Sequence, residues 1–389
     1  MSNKFIPYGC QDIDDDDINN VVKVLKSDFI TQGPTVPLFE NKITDYCKVK
    51  YAFTVNSATS ALHLACLSLG LSKGDIMWTS PISFVASANC GLYCGAKIDF
   101  VDIDPISYNI SAEKLEEKLI FAKKKGTLPK IVIPVHLSGH SADMSKIKEL
   151  SCKYNFKIIE DASHALGGSY QKEKIGSCKF SDITVFSLHP VKMITTGEGG
   201  LITTNQESLA KKIKFLRSHG ITKDKSEMQK DPDGLWYYEQ LDLGYNYRMP
   251  DINAALGISQ LEKLDKFVSK REAISNYYDR NLKNLPLKTP IQNDKCISSR
   301  HLYIIRIENK ISKLNHKDIF TKLRSFNIGV NLHYIPIHLQ PYYQNLGFAK
   351  GNFPEAERYY NEAISIPIFT KLTTNQQDYV IDKLKLLTL

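Results

Sequence analysis

Apolar runs of strand length alternate with amphipathic stretches of helix length through about the first 250 residues, and this alternation restricts the chain to α/β architecture. The strand candidates are Tyr51 to Val55, Asp75 to Thr79, Lys97 to Val101, Ile131 to Val135, Lys157 to Ile159, Ile183 to Phe186 and Leu201 to Thr203. Helix-like stretches lie between them: Thr59 to Leu69, Phe84 to Tyr93, Met144 to Tyr154 and Ser208 to Arg217. Several strand candidates are continuously apolar, as strands of a parallel sheet covered on both faces must be. The predicted core is a large, mostly parallel seven-stranded sheet.

Beyond residue 255 the texture changes. Ile258, Leu261, Leu264, Phe267 and Val268 recur at helical spacing, predicting one helix that continues to about Leu282. A strand at Leu302 to Ile307 and a helix near Lys317 to Phe326 follow, as in a small α+β domain. A chain of 389 residues suits two packed domains. The expected division is a large domain over residues 1–255, N-terminal segment included, and a small one over 256–389. Residues Thr222 to Tyr238, with the turn signal Asp231-Pro232-Asp233-Gly234, read as a loop.

Hydrophobic residues at 42% and charged residues at 24% match a soluble globular enzyme. The N-terminal residues carry no apolar signal-peptide core, and no run has the length of a membrane span. The eight cysteines are scattered, which argues for reduced thiols over a disulfide framework or a metal site. A cytoplasmic location is expected. The net charge of +8 is modest, and Lys123-Lys124-Lys125 and Lys211-Lys212 read as solvated helix faces, not as a nucleic-acid stripe.

Lys192 follows the strand Ile183 to Phe186 in the run Ser187-Leu188-His189-Pro190-Val191-Lys192. A lysine on a short connection between buried strands is poorly solvated, which lowers its pKa and exposes an amine able to form a Schiff base with an aldehyde. Read alone, it is equally a lysine whose stem lies along apolar surface. Three further segments bear on it. Asn56-Ser57-Ala58-Thr59 forms a strand-to-helix turn whose N–H groups suit a phosphate, although Ser and Thr cap most helices. Phe84, after the strand ending at Thr79, serves as core or as a stacking platform for a flat ring. Asp161 ends a strand, where a buried carboxylate needs a strong partner; it caps the next helix or meets a protonated pyridine nitrogen, with His164 close by. Ser187 stands at a strand end suited to phosphate. No Gly-x-Gly-x-x-Gly or P-loop occurs, which demotes dinucleotide and nucleoside-triphosphate readings.

Phosphate cradle, aromatic, Asp and Lys occur here in the order used by pyridoxal phosphate enzymes. With Ile30-Thr31-Gln32-Gly33-Pro34, Arg217-Ser218-His219-Gly220, Leu243-Gly244-Tyr245-Asn246-Tyr247-Arg248 and Ser299-Arg300-His301-Leu302-Tyr303, they resemble the DegT/DnrJ/EryC1/StrS family of nucleotide-sugar aminotransferases over nearly the whole chain. The resemblance implies the pyridoxal-phosphate-dependent transferase fold type I. It is greatest to the branch serving pseudaminic acid synthesis, which adds an amino group to C4 of a UDP-linked 4-keto-6-deoxy-N-acetylhexosamine.

By that resemblance Lys192 bonds pyridoxal 5′-phosphate, Asp161 pairs with its ring nitrogen, Phe84 stacks on the ring and His164 lies near its phenolic oxygen. Ser57, Ala58, Thr59 and Ser187 hold the phosphate, and Asn246 reaches the phosphate in a neighbouring subunit, implying a homodimer. L-Glutamate is the implied donor, with pyridoxamine phosphate between the two half-reactions. Tyr8, Ile30, Thr31, Gln32, Gly33, His219, Ile328, Gly329, Val330, Asn331, Tyr334 and His338 are the implied substrate contacts. Some relatives dehydrate sugars with the same cofactor, and one such branch carries histidine in place of the lysine. Lys192 counts against that branch, leaving a lysine-bearing dehydratase, or a catalytically silent sugar-nucleotide-binding homologue, as rivals.

Overall fold

The computed structural model describes residues 4–291 and 293–389. The seven expected strands are present as β1 (Tyr51–Val55), β2 (Ile76–Thr79), β3 (Lys97–Phe100), β4 (Ile131–Ile133), β5 (Lys157–Asp161), β6 (Ile183–Ser187) and β7 (Gly200–Thr204). They form one sheet in the order β1-β7-β6-β5-β4-β2-β3. Only β7 runs against the others. The strands β4 and β7 are buried along their full length, as expected of a sheet covered on both faces.

Helices α1 (Asp15–Leu25) and α2 (Thr35–Cys47) precede β1, and α5 (Ala112–Lys125) precedes β4. The helices that periodicity predicts are present as α3 (Ala58–Ser68) after β1, α4 (Ala86–Tyr93) after β2, α6 (Met144–Tyr154) before β5 and α7 (Glu207–Leu216) after β7. All but three residues of α3 are buried, including Leu62, Leu64 and Ala65, so this helix is enclosed and not amphipathic. The helix expected to run unbroken to Leu282 is divided into α8 (Asp251–Glu262) and α9 (Leu264–Leu282). No Pro or Gly stands at the break. At the junction Lys263 stays in the right-handed helical region (φ −99°, ψ −5°), and its ammonium pairs with Asp14 and, at 2.9 Å, with Asp17.

The C-terminal residues build a second core. A strand at Tyr303–Ile307 pairs antiparallel with Leu287–Lys288 and Ala363–Ile366, backed by helices His316–Ser325 and Thr374–Thr388. Ile6 joins this core, pairs with Ile328 and is buried with Tyr303, Val330 and Leu384. The N-terminal segment therefore packs against the C-terminal core. The expected boundary at residue 256 falls inside α8. Residues Thr222 to Tyr238 are irregular as expected and are closed by a short antiparallel pairing of Ile221–Thr222 with Glu239–Gln240.

Candidate active site

The parallel strands end along one edge of the sheet, and the connections leaving that edge surround a cleft of about 520 Å³. Register explains why distant segments meet there. Gly200 opposes Val55 on one side and Ser187 on the other, so the ends of β1 and β6 are held together by the start of β7. Gly200 also touches the next turn: a Cβ there would lie 2.5 Å from the Ser57 carbonyl oxygen and 2.7 Å from the Ala58 nitrogen. Only glycine lets β7 approach so closely.

Ser57 caps α3, its side chain accepting from Ser60 N at 3.1 Å. Ala58 and Thr59 occupy the first helical turn, where N–H groups have no intrahelical acceptor. Ser57, Ala58, Thr59 and Ser187 all line the cleft. Together they form a seat for an anion at the positive end of a helix, which fits a phosphate ester.

Asp161 ends β5, is 4% exposed and lines the same cleft. Its Oδ2 accepts from Ser87 Oγ at 2.5 Å, and its Oδ1 accepts from Ser163 Oγ at 2.6 Å and Ser163 N at 3.1 Å. Three donors of neutral groups hold a buried carboxylate to which no arginine or lysine among the described residues is bonded, an arrangement that fits a protonated ring nitrogen. The preceding residue, Glu160, points to the opposite face and is held by His136 at 2.7 Å and Ser181 at 2.5 Å.

Lys192 lies on the connection after β6 and lines the cleft. Burial pushes its amine down to about 8, against the opposing pull of Asp161. Phe84, 57% exposed, presents its ring to the cleft rather than to the core, 6.2 Å from the Tyr334 ring. His164 is buried; its Nδ1 accepts from Ser138 N at 3.3 Å and its Nε2 lies 3.0 Å from the Tyr334 hydroxyl. Burial, then the neighbouring Lys192 and His333, hold this imidazole well below its ordinary pKa.

Of the expected substrate contacts, Tyr8, Asn331 and Tyr334 line the cleft. Ile328 and Val330 do not: both are buried in the C-terminal core, and Gly329 N donates to Ile6 O at 2.6 Å. These three place Asn331 rather than face the cleft. His338 is buried against Glu357 at 2.9 Å, away from the cleft lining. Gln32 and Gly33 line a second cavity, of about 970 Å³, with Lys211, Lys214, Arg217 and Arg248. Ile30 O accepts from Asp251 N nearby, and Thr31 is exposed. His219, exposed at φ +65°, and exposed Asn246 are also outside the cleft of their own chain.

Sequence reasoning missed Ser83 and Ser87, whose hydroxyls lie 2.6 Å apart beside Asp161, and His301 and His333 on the cleft wall. The serines carried a readable signal, the i, i+4 spacing around Phe84.

A cradle for an anion, an exposed aromatic face, a buried carboxylate and a desolvated lysine around one cleft define a pyridoxal-phosphate-dependent aminotransferase of fold type I. Comparison with known proteins agrees. Residues 11–385 match the DegT/DnrJ/EryC1/StrS aminotransferase family, and the chain belongs to it. It is 40% identical, over 97% of its length and 96% of the relative's, to the UDP-4-amino-4,6-dideoxy-N-acetyl-beta-L-altrosamine transaminase of Campylobacter jejuni. Among solved structures it resembles Helicobacter pylori PseC, an aminotransferase involved in the biosynthesis of pseudoaminic acid (TM-score 0.89, 34% identity, 99% of both chains covered). It also resembles the Streptococcus pneumoniae putative sugar aminotransferase Spr1654 in its PMP form (TM-score 0.89, 30% identity, 98% of both chains covered).

Proposed function

We propose that this aminotransferase moves an amino group from L-glutamate to C4 of a UDP-linked 4-keto-6-deoxy-N-acetylhexosamine, as in pseudaminic acid-type nucleotide-sugar synthesis. The likeness to the altrosamine transaminase, nearly end to end at 40% identity, carries this reading. The polar lining of Tyr8, Asn331 and Tyr334 supports it, because it offers a sugar hydrogen-bonding groups. The cytoplasm is the proposed location; among the described residues no helix is long and apolar enough to cross a membrane.

Bound pyridoxal phosphate supplies an electron sink that makes a substrate C–H bond acidic. The chain supplies the rest. Ser57, Ala58, Thr59 and Ser187 would hold the phosphate, Asp161 would pair with the ring nitrogen, and Phe84 would stack on the ring. Lys192 would hold the cofactor and, once freed by the incoming amine, would be the group that takes and returns the proton of the substrate carbon. A pKa near neutrality suits that work, since the group must both take and return the proton. Glutamate leaves as 2-oxoglutarate before the keto-sugar is aminated, which gives ping-pong kinetics.

Asn246 acts in the partner's site, so a homodimer is the working unit. Ile30, Thr31, Gln32, Gly33 and His219 are assigned to the partner's substrate as well, in keeping with their place outside their own chain's cleft. The exposed Leu235, Trp236 and Leu243 give the dimer apolar surface to bury.

Incubation with glutamate and a panel of UDP-linked 4-keto sugars, with products read by NMR, tests the proposal. Formation of a 4-amino-4,6-dideoxy-N-acetyl sugar together with 2-oxoglutarate is expected. Deoxygenation without an amino donor points to a dehydratase instead.

A further inference from the structure

We infer that Tyr334 is a directed hydrogen-bond donor to the carbonyl oxygen of the keto substrate. The inference rests on the keto-sugar reading above and goes beyond it, from a residue that touches substrate to one that acts on the reacting atoms.

Ser138 sets the direction of the hydrogen bonds around His164. Its backbone N–H can only donate, and it points at His164 Nδ1 from 3.3 Å. Nδ1 must therefore carry a lone pair, and a neutral imidazole then carries its hydrogen on Nε2. His164 is buried, and its depressed pKa keeps it neutral. The 3.0 Å contact between Nε2 and the Tyr334 hydroxyl thus has one direction: the imidazole donates and the phenol oxygen accepts. The phenol's own hydrogen is left without an acceptor among the described residues. Burial, with Asp161 and Tyr8 nearby, raises the phenol's pKa above its ordinary value, so the hydrogen stays in place through the neutral range.

Tyr334 is at the reacting end of the cleft. It shares the cleft with Lys192, lies beside Phe84 and is close enough to Asp161 to feel its charge. The substrate carbon that accepts the amine must come to this end, and its carbonyl oxygen gains electron density as the C–N bond forms. A fixed neutral donor stabilises that oxygen, and the gain is greatest in a cleft from which water is excluded. His164 takes no part in proton transfer here: it is a positioning residue that turns the phenol into a donor aimed at the cleft.

The test is Tyr334→Phe, which keeps the ring against Phe84 and removes the hydroxyl. With keto-sugar and glutamate, kcat is expected to fall roughly 10²-fold, as for loss of one such donor, while KM changes by no more than about 2-fold. The change in visible absorption on adding glutamate to the loaded enzyme precedes any making or breaking of a carbon–oxygen bond, so its rate is expected to be kept. Nitrogen-15 NMR of histidine-labelled protein should find His164 with its hydrogen on Nε2. An unchanged kcat, a rise in KM with kcat held, an equal slowing of the glutamate step, or a hydrogen on Nδ1 would each overturn the assignment. Wild-type enzyme that aminates no keto-sugar while still reacting with glutamate would overturn the substrate reading, and this inference with it.

Discussion

Ser87 Oγ donates to Asp161 Oδ2 at 2.5 Å, joining the first turn of α4 to the end of β5 beneath the cleft. The serine is itself held by Ser83 Oγ at 2.6 Å, so the carboxylate is oriented by two layers of hydroxyls. A hydrogen bond to a charged group contributes about 1.5–3 kcal/mol, more than a neutral pair. Ser87→Ala is therefore expected to weaken pyridoxal phosphate binding by roughly 10- to 100-fold with little loss of folding. Titrating the apoprotein with cofactor and following its absorbance measures this. An unchanged Kd would mean that Ser163 alone suffices.

Lys192 sets a pH dependence. Burial brings its amine down to about 8, so the neutral, nucleophilic form dominates above that pH. Capture of pyridoxal phosphate by the apoprotein is expected to accelerate through pH 8 and then level off, instead of climbing toward the ordinary lysine range. Because Asp161 favours the ammonium, Asp161→Asn should shift that rise to lower pH. The stability linkage has a definite sign. Between about 8 and the ordinary lysine value the unfolded chain binds more protons at this position than the folded one, so folding stability rises with pH across that window. Lys192→Met apoprotein should lack this increment, and chemical denaturation at several pH values compares the two.

These two sites differ in how far the sequence reveals them. Asp161 ends a strand, Phe84 and Lys192 lie on the connections just after one, and the edge where α/β strands end is readable from a short window. Ser87 acts on a residue 74 positions away, and no local pattern announces that distance. His301 and His333 reach the cleft from the C-terminal part, so their role depends on how the two cores pack. The break between α8 and α9 has the same character: Lys263 is tied to Asp14 and Asp17, some 250 residues earlier. Periodicity carried the sheet because each strand is a local apolar run. Ile328 and Val330 came from the family resemblance and not from periodicity, and a segment matched as a whole does not tell which of its apolar side chains turn into the C-terminal core and away from the cleft.

Gly200 allows a steric prediction. Its hydrogen faces the Ser57 carbonyl across a gap that no methyl group fits. Gly200→Ala must push β7 away from the start of α3, parting Ser57 from Ser187 across the phosphate seat. Overpacking of this kind costs about 1–3 kcal/mol. A lowered Tm together with weakened cofactor binding is expected. Intact binding at wild-type Tm would show that the turn yields without moving the seat.

Asn246 gives the assay that decides whether sites are shared. It is exposed on its own chain, and its backbone pairs with Ser218, outside the cleft. If it completes the partner's site, Lys192→Ala and Asn246→Ala proteins are each inactive or nearly so. A mixed dimer, however, holds one intact site: Lys192 from one chain and Asn246 from the other. Random reassociation of equal amounts should then restore about a quarter of wild-type activity per site, because half the dimers are mixed and each has one of its two sites whole. The mixture is assayed after mild denaturation and refolding, with each variant treated alone as the control. Activity no greater than the mean of the two variants would place Asn246 in its own chain's chemistry, or in none.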